Sequence, residues 1–216
     1  MFDWATPGKL EAPPLPEVHT YRRSERALEI SQHNFHELLS GLAATMGRSQ
    51  CIMIGHSMGN RMICEDLLRR DSERDLVIEQ IHLVRPDLSI PAYVLDEKQI
   101  CRFAKRVYIY IADNDPWLRL SQSFSADVPR LGCPQGFFEL AMRQGMTLDR
   151  PLNRYFLDIA ALNGGHDIPS DLIDSVIRTG VAEQNSRYTM TPWSEEHTKR
   201  QLIRVQRGGT DGKARK

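Results

Sequence analysis

Apolar positions along the chain recur with two different periods, and the two alternate. Between residues 24 and 46, Ala27, Leu28, Ile30, Phe35, Leu38, Leu39, Leu42 and Ala43 repeat near the helical period, which predicts a long helix ended by Gly47. Residues 51 to 56 form a short apolar run, read as a core strand, and a helical pattern follows to about residue 70. Residues 78 to 84 predict a second strand, broken at Pro86-Asp87, and residues 93 to 103 carry a helical pattern. Residues 106 to 112 are β-branched and aromatic, as strands require. Asp113-Asn114-Asp115-Pro116 is then a loop, with Pro116 suited to a helix's first turn. The last core strand is predicted at 155 to 160, followed by a Gly164-Gly165-His166 loop and a helix over 170 to 178. Elsewhere, Phe2-Asp3-Trp4 reads as a short strand, and prolines 7, 13, 14 and 16 make residues 7 to 18 an extended loop. Prolines and glycines mark residues 128 to 150 as irregular, placed like a lid.

Strands alternating with helices predict an α/β fold, a mostly parallel sheet with helices on both faces. In such sheets chemistry gathers beyond the carboxyl ends of the strands. One strand there runs into Gly55-His56-Ser57-Met58-Gly59 and then a helix. Strand, G-x-S-x-G, helix is the context of a nucleophile elbow, where a sharp turn projects a serine hydroxyl from the sheet. The backbone N–H of Met58 points into the same space and is the candidate oxyanion donor. Two further strand exits carry Asp113 and Asp115, and His166.

Composition narrows the partners. The chain has 216 residues, 41% hydrophobic and 26% charged, with 28 basic and 28 acidic side chains. Zero net charge argues against nucleic acid or an anionic membrane as the main partner. No apolar run approaches the roughly 20 residues that cross a bilayer, and the first residues are not a signal peptide, so the chain as written reads as cytoplasmic. Four cysteines, Cys51, Cys64, Cys101 and Cys133, show no C-x-x-C spacing and read as small thiols in a reducing compartment. Residues 1–181 are expected to form one α/β domain. Residues 182–216 turn polar, with seven basic residues against one acidic one from 199 onward, and read as a disordered tail.

A serine hydroxyl becomes a useful nucleophile when a neighbouring base removes its proton. Histidine does this near neutral pH, and a carboxylate behind the imidazole fixes its tautomer and stabilises the cation. The chain order Ser57, Asp, His166 is that of α/β hydrolases. Asp115 is the first choice for the acid and Asp113 the alternative, because both follow one strand. His56 adjoins the serine, but neighbouring side chains at a turn diverge. His33 and His36 share a helix face without a third ligand at useful spacing, and no metal or other cofactor is expected. Asp158 reads as a structural hydrogen-bonding residue, as does Asp87, which is also an outside alternative for the acid.

These motifs resemble a bacterial α/β-hydrolase family of unknown function, a branch akin to lipases and esterases. The likeness runs through Phe2 to Pro7, the helix from Tyr21, Gly55-His56-Ser57-Met58-Gly59-Asn60 and Ile81 to Asp87. It continues through Tyr110 to Asp115, Arg130-Leu131-Gly132, Asp158 and Gly165-His166, covering roughly residues 1 to 180. It implies a serine hydrolase acting on a small-molecule acyl ester, with Asp115 as the acid.

Two departures stand out. The family's Trp-Pro-Ser element is loosened to Trp4-Ala5-Thr6-Pro7. An earlier strand and His-Gly loop, which in the family supply the second oxyanion donor, have no counterpart before Met1, so the domain reads as amino-terminally truncated. One missing donor typically costs about 100- to 1000-fold in turnover. Three readings stay open: an upstream start, a non-catalytic binding or scaffold relative, or a second chain that covers the exposed sheet edge and supplies the donor.

Overall fold

The sheet is built from the segments whose apolar residues alternate or run together. In a computed structural model, described over residues 15–46, 51–70, 78–126, 128–134, 153–162, 165–181, 188–192 and 202–207, β1 (Cys51–His56), β2 (Ile78–Val84), β3 (Ala104–Ile111) and β4 (Arg154–Asp158) lie side by side. All four are parallel. Two further strands, β5 (Tyr188–Pro192) and β6 (Leu202–Arg207), complete a six-stranded sheet in the order β1-β2-β3-β4-β6-β5. β6 is parallel to β4, and β5 is antiparallel at that edge.

The helices α1 (Leu15–Met46), α2 (Gly59–Arg69), α3 (Ile90–Arg102), α4 (Pro116–Phe124) and α5 (Ser170–Thr179) supply the covering layers. The alternation within β3 shows why both faces are covered. Val107, Ile109 and Ile111 enter one apolar core with Leu28, Phe35 and Leu39 of α1, Met62, Ile63 and Leu67 of α2, and Ile100 of α3. Tyr108, Tyr110 and Ala112 enter a second core with Leu172, Ile173 and Val176 of α5. A strand buried on both faces reads as a continuous apolar run, which is how parallel sheets appear in sequence. Each fully buried aliphatic side chain contributes roughly 1.5–3 kcal/mol.

Three expectations need correction. The polar tail contributes two strands: Tyr188, Met190 and Val205 are buried against the second core, and β6 pairs with β4. Strands there were masked by the surrounding charge, because only alternate residues turn inward at a sheet edge. The proline-rich segment also gives way earlier than expected, since α1 begins at Leu15 and holds Pro16 in its first turn, where a missing N–H breaks no helical bond. Within α1, Ile30 and Leu38 face outward rather than into the core. The expected strand at residues 2 to 4, Gly47 and most of the expected lid (135 to 150) lie outside the described residues.

At the other end of the sheet β1 is the outermost strand among the described residues, with Ile52 and Ile54 half exposed. All four cysteines are free, and burial pushes the thiol of Cys101 up to about 12. No helix of the described residues is long and apolar enough to cross a membrane.

Candidate active site

The turn after β1 is set by close packing. A Cβ on Gly55 would collide with Asn60 Oδ1 and stand 2.8 Å from Ile63 Cδ1, so the strand approaches α2 only without a side chain. Asn60 uses its amide to hold the turn, donating to Ser57 O at 2.9 Å and Val84 O at 3.1 Å. Ser57 N donates to Val84 O (3.0 Å), and Ser57 O also accepts from Asp87 N (3.2 Å). Within this frame Ser57 adopts φ +52°, the left-handed region that a side chain makes unfavourable. Met58 occupies the N-cap position of α2 without a side-chain cap, where the first N–H groups of a helix lack i−4 partners.

Asp115 caps α4. Its Oδ1 accepts from Trp117 N (3.0 Å) and Leu118 N (3.1 Å), while Oδ2 faces the imidazole of His166, whose Nδ1 lies 2.7 Å away. Arg85, at the exit of β2, donates from Nη1 to the same Oδ2 at 2.9 Å. Burial pushes the Asp115 carboxyl up, but the hydrogen bond and charge of His166 and the hydrogen bond from Arg85 outweigh it. The net effect holds the group below the usual carboxylate range.

The structure thus brings Asp115 and His166 into contact beyond β3 and β4 and sets Ser57 at the same edge of the sheet, at the end of β1, with β2 between. His56 provides the link: its Nε2 lies 2.8 Å from the carbonyl oxygen of His166, and the two rings are 4.7 Å apart. A carbonyl only accepts, so His56 Nε2 carries the proton. Burial, with His166 second, lowers the His56 pKa to about 4, which keeps this ring neutral near pH 7. Among the described residues no hydrogen bond joins Ser57 Oγ to His166. Catalytic hydrogen bonds are often long in ligand-free sites and tighten with substrate.

Other candidates fall elsewhere. His166 Nδ1 meets Asp115, not Asp113, whose carbonyl instead accepts from Cys133 Sγ at 3.5 Å. Asp87 turns from His166 into a buried network, accepting from Tyr21 Oη at 2.9 Å and Ser121 Oγ at 2.6 Å, with Arg61 and Arg130 both at 3.2 Å. That network ties α1, α2 and α4 together beside the elbow. Asp158 accepts from Ala160 N at 3.0 Å. His36 of α1 pairs with Asp66 of α2 at 2.6 Å, and no group of three or more potential metal ligands occurs among the described residues. Sequence reasoning missed Arg85 and the anchoring contact of His56. The only local signal for Arg85 is its place directly between an apolar strand and Pro86.

A mostly parallel sheet covered on both faces, with a left-handed serine turn at the carboxyl end of β1, is the arrangement of an α/β hydrolase. A family model described as an alpha/beta hydrolase of unknown function (DUF900) matches residues 1–146, and the chain belongs to that family. The match takes in Ser57 and Asp115 but stops short of His166. Neither a curated protein nor a solved structure matches the chain.

Proposed function

We propose that the protein is a serine hydrolase that cleaves a carboxylic ester or related acyl bond. The observation that carries this reading is the Asp115–His166 contact of 2.7 Å at the same end of the sheet as the left-handed Ser57. With Nδ1 donating to Asp115, the other imidazole nitrogen is free to act as a base. His166 takes the Ser57 proton as Oγ attacks the acyl carbon, and Asp115 stabilises the imidazolium. The N–H of Met58 holds the oxyanion. His166 then protonates the departing alcohol, activates water against the acyl-enzyme, and the acid leaves. A small acyl ester supplies the substrate, and no cofactor takes part.

The rival reading is a non-catalytic binding or scaffold protein that keeps the fold. What favours it is the lack of a Ser57–His166 hydrogen bond among the described residues. A panel of p-nitrophenyl esters of increasing acyl length separates the two. The hydrolase reading expects at least one ester to be cleaved on the order of 1000-fold faster than by Ser57→Ala. Equal rates for the two proteins across the panel would support the rival.

A further inference from the structure

Arg85 has no task in the chemistry just described, yet its placement is demanding. Its side chain is wholly buried, and its backbone sits at φ +44°. A buried guanidinium carries a desolvation penalty that an apolar residue of similar volume avoids. The surrounding chain nevertheless fixes it. Arg85 N donates to Tyr110 O at 2.9 Å, and Gly132 packs so closely that a Cβ there would stand 2.5 Å from the Arg85 carbonyl carbon. Arg85 Nη1 and His166 Nδ1 share one oxygen, Asp115 Oδ2, while the α4 N–H groups hold the other. Four donors therefore pin both carboxylate oxygens, and one of those donors is a permanent cation.

Building on the hydrolase reading, we propose that Arg85 is a positioning residue for this reaction: it holds Asp115 Oδ2 on His166 and offsets the carboxylate's charge, lowering the pH at which His166 becomes a free base. A carboxylate alone stabilises the imidazolium and delays loss of its proton. A guanidinium on the same oxygen opposes that effect, so the base is available at lower pH. The other titratable groups around His166 do not duplicate this role. His56, at the end of β1, is neutral near pH 7. Asp167, next to His166 in the chain, carries an acidic side chain and so cannot supply the positive charge that Arg85 does.

The test is an NMR titration of the histidine ring nitrogens, with His166 identified among the seven histidines by comparison with His166→Gln. Arg85→Gln is expected to raise the His166 midpoint by about one to two pH units, and Arg85→Lys, which keeps the charge, to leave it within about half a unit. A folded Arg85→Gln protein with an unmoved midpoint would overturn the proposal. If Arg85→Gln does not fold, Arg85→Lys carries the test. Its midpoint should hold while fluorophosphonate labelling of Ser57 slows roughly tenfold, because a flexible ammonium holds Asp115 Oδ2 less rigidly than the planar guanidinium does. A midpoint displaced by a unit or more, or unchanged labelling, would contradict it. Wild-type protein that takes no label counts against the hydrolase reading alone, since the titration reports on Arg85 independently.

Discussion

Replacing Ser57 by alanine and by glycine separates the backbone strain of the elbow from its chemistry. Both variants lack the hydroxyl, so they differ only in the Cβ. At φ +52° that Cβ crowds the following carbonyl, at a cost of about 1–2 kcal/mol. Glycine escapes this but loses about 0.5–1 kcal/mol through its more flexible unfolded chain. The turn cannot relax toward ordinary backbone, because Ser57 N is held by Val84 and Ser57 O accepts from Asn60 N, Asn60 Nδ2 and Asp87 N. Ser57→Gly should therefore exceed Ser57→Ala in stability by about 1 kcal/mol, or about 2–4 °C in Tm for a domain this size. Thermal unfolding followed by circular dichroism measures the difference. Equal Tm values, or a more stable alanine variant, would show that the elbow carries no strain and that Ser57 is an ordinary turn residue.

Other consequences follow from the same geometry. Asp115→Asn should slow acyl transfer by about 10⁴-fold, through loss of the correct His166 tautomer, while Asp113→Asn should change it less than tenfold. Steady-state rates on any ester found to be a substrate decide this. Gly132→Ala should destabilise by roughly 3 kcal/mol or more in urea unfolding, because the new Cβ would meet the backbone of Arg85 and Pro86 at 2.5 and 2.6 Å, and backbone yields little. Burial lowers the pKa of His82 to about 4, so the fold holds this ring neutral while the unfolded chain protonates it near 6.5. Its contribution is complete above about pH 6.5 and lost as pH falls toward 4, on the order of 3 kcal/mol in all. Urea midpoints across that window should fall steeply in the wild type and less so in His82→Gln.

The parts of this fold legible in the sequence are those governed by local pattern. β2 could be bounded from its apolar run, and the elbow from two glycines around a serine between strand and helix. Asp115 and His166 stood out because strand exits are where a parallel sheet places its chemistry. What stayed hidden depends on distant partners. β5 and β6 bury only alternate residues, so Tyr188, Met190 and Val205 looked like isolated apolar positions in a charged stretch. Arg85 resembled an ordinary strand-end cation, since nothing local shows that Asp115, thirty residues later, will face it. The tie from His56 to His166 is of the same kind. It requires the loop after β4 to reach back to the end of β1.

Hydrolysis by this site requires Ser57 to be a nucleophile activated by His166 and Asp115. The most direct measurement treats the protein with a fluorophosphonate probe and maps the adduct by peptide mass spectrometry. One covalent adduct is expected on the peptide containing Ser57, absent from Ser57→Ala and slowed at least 100-fold in His166→Gln. A folded protein that takes no label at Ser57, or that labels equally well without His166, would contradict it.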